Sequence, residues 1–162
     1  MLKKDKVQFI INKLEDFYPK ITPPLDHEND YTLLVAVLLS ANSTDKSVNK
    51  ITPVLFKKAN SPKKMVKLSR DEIYKIIKPC GLGPAKSLNI LKLSKIILDK
   101  YDGKIPKDIS ELEKLPGVGH KTASVVASQA FGIPAFAVDT HVHRLMYRWG
   151  LSNGKNVVQT EK

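Results

Sequence analysis

The sequence has a single cysteine, Cys80, and no long apolar run. One thiol cannot form a disulfide within the chain, and it cannot supply a metal site built from several cysteines. No segment reaches the roughly 20 apolar residues of a transmembrane helix. The charged start M-L-K-K-D-K is not followed by the apolar core of a signal peptide. These absences predict a soluble, intracellular protein without a metal site.

Acidic residues are also scarce. The 162 residues include 16 acidic and 27 basic side chains, which gives a formal net charge of +11. Such an excess favours a polyanionic partner, although a generally lysine-rich proteome would produce it as well. The length suits one domain or two small, intertwined domains.

No segment keeps the two-residue alternation of a half-buried strand, and the apolar residues follow a helical period instead. Residues 2–17 predict an amphipathic helix whose apolar face is Val7, Ile10, Ile11, Leu14 and Phe17. Tyr31–Ser40 is almost entirely apolar, and its length favours a fully buried central helix over a strand. We therefore predict an all-α fold of roughly ten helices.

Polar residues and prolines predict where the helices begin and end. Asp30 is expected to cap the buried helix, and Pro53 is expected to kink or shorten the helix that follows it. Ser61 with Pro62 predicts a helix start. Two capping boxes are predicted, Ser69 with Glu72 and Ser110 with Glu113.

The most informative stretch runs from Glu113 to Asp139 and begins E-K-L-P-G-V-G-H-K-T-A. Pro116 ends a short helix, and Gly117 and Gly119 supply backbone freedom for a sharp reversal. A second helix then opens near Lys121. A glycine turn at a helix start directs backbone N–H groups outward, where they form an anion site that a phosphate would occupy. Because no side-chain charge is needed, such binding would ignore base sequence.

Lys121 and Asp139 are the candidate catalytic residues. Lys121 lies in the first turn of the second helix, where the positive end of the helix dipole disfavours a protonated amine. A free amine is what a nucleophilic lysine needs. Asp139 follows the turn at 132–134 and is expected to return to the same cleft. The alternative is that Lys121 is a solvated lysine and Asp139 a helix N-cap.

These residues resemble the helix-hairpin-helix DNA glycosylases, and the endonuclease III family in particular. The similar segments extend from about Val7 to the end of the chain and include L-L-V-A-V-L-L-S-A-N-S-T-D, G-L-G-P-A-K, L-P-G-V-G-H-K-T-A and V-D-T-H. The resemblance implies a six-helix domain at 21–131 that contains the helix-hairpin-helix, at 110–131. It implies a second helical domain from 1–20 and 132–162, with the active cleft between the two.

The resemblance also implies a DNA-binding surface. Its members are Asn42, Leu82, Gly117, Val118, Gly119, His120 and Arg144. Relatives usually carry Gln at the position of Asn42, where it fills the gap left by an extruded nucleotide; the alternative is that Asn42 is only a turn residue. Leu82 is the candidate wedge between bases, or else a core anchor beside a helix C-cap.

Two further positions complete this surface. Relatives often carry Arg where this chain has His120, so phosphate attraction near neutral pH is expected to be weaker and to depend on pH. Arg144 shares a helix face with Arg148 and is suited to contact phosphate.

His141 and His143 are two residues apart, which places them on different helix faces and argues against a metal pair.

The implied function is base excision repair by a DNA glycosylase with AP-lyase activity. Asp139 would help withdraw a proton, Lys121 would attack the sugar, and β-elimination through a Schiff base would cut the strand. The implied substrates are oxidised pyrimidines and abasic sites in double-stranded DNA. The implied enzyme is a monomer of the cytoplasm or bacterial nucleoid.

Two other functions are alternatives. One is a monofunctional DNA glycosylase, although such relatives usually lack lysine at the position of Lys121. The other is a non-catalytic helix-hairpin-helix module, for which the hairpin and the charge would suffice.

Endonuclease III relatives commonly continue beyond the last residue of this sequence, and they often carry four cysteines that hold a four-iron, four-sulfur cluster. Because this sequence offers only Cys80, we expect no cofactor within it. The second domain is accordingly expected to be truncated. Its final helix would contain Val157 and Val158, and apolar surface would be exposed around them.

Overall fold

A computed structural model describes residues 2–20 and 23–161. Within these ranges every regular element is helical, which confirms the all-α prediction. In chain order the helices are α1 (Lys3–Phe17), α2 (Asp30–Ser40), α3 (Asp45–Lys58), α4 (Pro62–Met65), α5 (Arg70–Ile77), α6 (Gly83–Tyr101), α7 (Ile109–Glu113), α8 (His120–Phe131), α9 (Thr140–Arg148) and α10 (Val157–Glu161), with a 3₁₀ turn at Lys78–Cys80. No helix in the described part of the chain is long and apolar enough to cross a membrane.

The chain divides into two compact units. The larger is Pro24–Ala135 and contains α2 to α8, and the smaller combines Met1–Pro23 with Phe136–Lys162. The predicted limits of the domains, 21–131 and 1–20 with 132–162, stay predictions, as does the truncation of the second domain.

Helix α2 is the core of the larger unit. All nine residues of Tyr31–Leu39 are buried, which confirms the predicted central helix. It packs against α3, α6 and α8. Fully burying one leucine side chain contributes about 1.5–3 kcal/mol, so this run is a large part of the folding free energy. Burial raises the pKa of the Tyr31 phenol, and a 2.6 Å hydrogen bond with Ser94 acts in the opposite direction.

Two of the predicted helix starts are wrong. Helix α2 is capped by Asn29 rather than Asp30, because the Asn29 side chain accepts from the Thr32 N–H while Thr32 Oγ1 accepts from the Asn29 N–H. Helix α7 is capped by Asp108 rather than Ser110, because the Asp108 carboxylate accepts from the Ser110 and Glu111 N–H groups. In each case the capping side chain accepts from a backbone N–H group two or three residues later in the chain.

The other start signals are confirmed. Ser69 and Glu72 form a capping box, and Ser61 caps α4 with Pro62 at its first position. The expected shortening at Pro53 does not occur, since α3 continues to Lys58. Its apolar face is buried, and that burial offsets the backbone hydrogen bond that a proline removes.

The smaller unit buries little. Neither α1 nor α9 contains a buried residue, and large apolar side chains are exposed on both. They include Phe9, Phe17, Leu145 and Tyr147. Val157 and Val158 are exposed as well, so the expectation of exposed apolar surface around α10 is confirmed.

Candidate functional site

The hairpin between α7 and α8 is anchored in the core of the larger unit. Leu115 and Val118 are buried. Gly117 has φ +79°, and a Cβ there would lie 2.8 Å from Asn89 Nδ2, so only glycine fits. Gly119 has an ordinary φ of −91°, and a Cβ there would meet no atom within 4 Å. The prediction that Gly119 is needed for backbone freedom is therefore wrong.

Gly119 matters for another reason, since it is the N-cap of the twelve-residue helix α8. A glycine lacks the side-chain oxygen that usually accepts from first-turn N–H groups at this position. The start of α8 is therefore an open helix end that carries partial positive charge. Such an end suits an anion, and the hairpin leaves space above Gly119 for one to approach.

His120, the first residue of α8, is joined to the preceding helix. Its Nδ1 makes a short contact with the carboxylate of Glu113, the last residue of α7. The predicted capping box of Ser110 and Glu113 does not indicate this contact, because it directs the Glu113 carboxylate to the start of its own helix. A carboxylate beside the imidazole offsets the positive charge that a protonated His120 would bring to the open helix end.

Ion pairs and hydrogen bonds around Glu111 also hold helix α7 in place. Glu111 accepts hydrogen bonds from Lys114, Tyr101 and Lys100. These three donors, Lys114 first, lower the pKa of the Glu111 carboxyl to about 2. The network joins α7 to the end of α6 and so helps to fix the hairpin.

Lys121 lines a cavity of about 380 Å³ within the larger unit. The cavity is also lined by Ser40 at the end of α2, by Asn42 in the turn that follows it, and by Asp45 at the start of α3. Val37 and Val125 add apolar surface. The structure thus brings two of the predicted site residues, Lys121 and Asn42, to one cavity. Asp45 is a further polar group there that the sequence did not single out.

Two turns with left-handed backbone lie at the predicted DNA-facing positions. Asn42 has φ 55° and Leu82 has φ 50°. The Leu82 side chain is 59% exposed, so the alternative that it anchors the core is wrong. Helix α6 begins directly after it at Gly83, where a Cβ would lie 2.7 Å from Tyr74 Cε2. Helix α6 therefore packs closely on α5 immediately after the exposed Leu82.

Lys86 is the residue near these turns that sequence reasoning missed. Its side chain is 5% exposed, and its ammonium donates to oxygens from both turns. The sequence motif G-L-G-P-A-K contains it, but a lysine in the first turn of a helix is usually solvated. Nothing local to the motif predicts its burial.

Asp139 and Arg144 belong to the smaller unit. Asp139 is the N-cap of α9, and its Oδ1 accepts from the His141 and Val142 N–H groups at 3.0 and 2.9 Å. Asp139 thus caps α9, and because capping is compatible with a second role, its catalytic role stays a prediction. Arg144 is exposed on α9, and its Nη2 lies 3.3 Å from His141 Nδ1.

No group of three or more His, Cys, Asp or Glu side chains with metal-binding geometry is present in residues 2–20 and 23–161. Cys80 is buried, and burial raises the pKa of its thiol while the neighbouring Lys86 acts in the opposite direction. A lone buried thiol does not fit a four-cysteine cluster. That this chain holds no cofactor stays a prediction.

Comparison with known proteins decides the family. A family model described as HhH-GPD superfamily base excision DNA repair protein matches residues 35–162. The chain belongs to this superfamily. It is 45% identical over 163 residues to endonuclease III of Bacillus subtilis (strain 168), an alignment that covers 100% of this chain and 74% of that protein.

Two solved structures of endonuclease III with DNA are also similar to this chain. A non-covalent endonuclease III–DNA complex superposes with a TM-score of 0.91 and 42% identity over 99% of this chain and 76% of that one. A trapped endonuclease III–DNA covalent intermediate superposes with the same score, identity and coverage. The chain is accordingly a base excision repair enzyme, a DNA glycosylase with AP-lyase activity.

Proposed function

We propose that this enzyme removes oxidised pyrimidines from double-stranded DNA and cleaves abasic sites, with Lys121 as the nucleophile. The observation that carries the proposal is the position of Lys121, which lines the 380 Å³ cavity beside the open end of α8. A cavity of several hundred Å³ suits a small ligand, here an extruded nucleotide. The trapped covalent complex of the similar endonuclease III supports a covalent mechanism.

The chemistry would proceed in two stages. The Lys121 amine attacks C1′ of the sugar, the N–C1′ bond forms, and the glycosidic bond breaks as the base leaves with a proton. The opened sugar is then held as a Schiff base, and loss of the C2′ proton expels the 3′ phosphate by β-elimination. Asp139 would take the amine proton and stabilise the positive charge that develops on the sugar.

The other predicted residues would bind DNA. The hairpin is formed by Gly117, Val118, Gly119 and His120. The open start of α8 in this hairpin would hold a phosphate of the DNA backbone. Leu82, exposed at its turn, would wedge between bases, and Asn42 would fill the gap left by the extruded nucleotide. Arg144 would add a phosphate contact from α9. We further propose that the enzyme acts as a monomer in the cytoplasm or at the bacterial nucleoid.

Borohydride trapping on abasic-site DNA tests this function. Reduction of a Schiff base yields a stable covalent protein–DNA adduct, and we expect one adduct per active enzyme. Base release without an adduct would instead indicate a monofunctional glycosylase. Binding without release or adduct would indicate a non-catalytic module.

Replacement of Gly119 by Ala should weaken binding to all DNA sequences alike. The Cβ has room in the protein but would occupy the approach to the open end of α8, so the melting temperature should change little. The measurement is affinity for several duplexes of unrelated sequence. Gly117→Ala is the matched comparison, because its Cβ would strike Asn89 and should lower stability. A loss of affinity at Gly119→Ala confined to certain sequences would contradict phosphate binding by the backbone.

A further inference from the structure

Lys86 lies beneath the two turns that carry Asn42 and Leu82. In the described ranges 2–20 and 23–161 it is the one charged side chain that is buried. The proposed catalytic steps do not use it, and a side chain 5% exposed is not placed to contact DNA directly. A buried lysine is costly to maintain unless its charge is compensated. Its contacts therefore indicate what it does.

The acceptors of the Lys86 ammonium lie at the C-terminal end of α2 and in the two turns that carry Asn42 and Leu82. Nζ donates to the Leu39 carbonyl at 2.9 Å and to the Ala41 carbonyl at 2.7 Å, at the C-terminal end of α2. Ser43 Oγ lies 3.1 Å from Nζ, and the Cys80 carbonyl oxygen, in the second turn, lies 2.9 Å from it, so four oxygens share the three N–H donors of the ammonium. A cation at a helix C-terminus is stabilised by the negative end of the helix dipole. Lys86 thus satisfies carbonyls that face away from solvent.

No carboxylate pairs with this ammonium in the part of the chain that the structure describes. The charge is offset by neutral oxygens alone, and burial lowers the pKa of Lys86 while the Cys80 thiol acts in the opposite direction. Removal of the amine would leave several buried acceptors unsatisfied, in residues 39–43 and at Cys80. We expect this loss to change the distance between the Asn42 turn and the Leu82 turn.

The backbone of both turns, and the distance between them, are constrained. Asn42 and Leu82 both have left-handed backbone; asparagine tolerates this conformation, but leucine keeps it only when its surroundings impose it. Ser43 Oγ makes a second link, since it donates to the Cys80 carbonyl in a short contact. A Cβ on Gly81 would lie 4.0 Å from the Asn42 carbonyl oxygen, which shows how near the two turns are.

We propose that Lys86 is a positioning residue for nucleotide extrusion. It holds the Asn42 turn and the Leu82 turn at one fixed spacing, so that the wedge and the gap-filling side chain enter the duplex together. This inference rests on the proposed function, because it assumes that both turns act on DNA. It adds a residue that acts through the turns without touching the substrate.

The test compares two forms of one substrate. Lys86→Met keeps the length of the side chain and removes its donors, and Lys95→Met on the exposed face of α6 is the matched loss of one charge. Each is assayed by borohydride trapping on a duplex with an abasic site and on a single strand with the same site. A single strand has no stack to wedge open and no gap to fill.

Lys86→Met should lose activity on the duplex on the order of 10–100-fold, the penalty of a misplaced functional group. Its rate on the single strand should stay close to that of the unmodified enzyme, and Lys95→Met should change neither. Combining Lys86→Met with Leu82→Ala should cost less than the sum of the single changes, because both act through the same turn.

Ser43→Ala covers the case in which Lys86→Met does not fold, since it removes one link to each turn and leaves the lysine in place. It should lower the ratio of duplex to single-strand activity in the same direction. An unchanged ratio in the folded variants, or an equal fall on both substrates, would overturn the positioning role. Absence of any adduct with the unmodified enzyme would refute the proposed function instead.

Discussion

Replacement of Lys121 by Gln is expected to abolish the borohydride-trapped adduct with abasic-site DNA while affinity for the same DNA stays near its original value. Gln has a similar length but no nucleophilic amine, so the bond to C1′ cannot form. Lys121 is exposed at the second position of α8, and the helix does not depend on it for capping. The measurements are adduct yield on a denaturing gel and binding by titration.

A charge-matched control is Lys92→Gln, an exposed lysine on α6 outside the cavity. It should trap as the unmodified enzyme does, which separates loss of the amine from loss of one positive charge. If Lys121→Gln still forms the adduct at full rate, another amine is the nucleophile and the central assignment is wrong.

Replacement of Asp139 by Asn is expected to slow base removal by about 10²–10⁴-fold, as for loss of a general acid–base group. The structure lets this effect be separated from stability. Asp139 Oδ1 caps α9 through the His141 and Val142 N–H groups, and an Asn side-chain oxygen caps a helix about as well as Asp. The melting temperature should therefore change little. The measurement is single-turnover release of the damaged base.

Asp139→Ala supplies the comparison. It removes the cap as well as the carboxylate and should cost about 1 kcal/mol of stability in addition to activity. Should Asp139→Asn excise at the original rate while Asp139→Ala melts early, Asp139 would be a capping residue and no more.

Signals that act over a few residues allowed much of the larger unit to be predicted. The apolar run within Tyr31–Ser40 predicted the buried helix α2, because an amphipathic or exposed element does not tolerate the seven consecutive apolar positions Leu33–Leu39. Pro116 and Gly117 predicted the reversal, since one excludes helix and the other alone fits φ +79° with Asn89 alongside. The position of Lys121 at a helix start and of Asp139 after the turn at 132–134, together with the family resemblance, predicted the two candidate catalytic residues, whose roles stay predictions.

The errors occurred where neighbouring residues competed for one role. Asp30 and Ser110 are sound N-cap types, yet Asn29 and Asp108 cap the helices. Residue type alone does not choose between adjacent polar residues, because the choice depends on where the helix begins to pack. The backbone freedom predicted for both Gly117 and Gly119 is needed only at Gly117, because the φ of −91° at Gly119 suits any residue.

The amino-acid sequence by itself determined the helical class, the central buried helix and the glycine hairpin, because apolar periodicity, proline and glycine act through local backbone geometry. Only the tertiary structure decided that Lys86 is buried and that Lys121 shares a cavity with Asn42. The oxygens around Lys86 come from residues 39–43 and from Cys80. Whether a lysine faces water or such a set of oxygens depends on how distant segments pack, which no local pattern records.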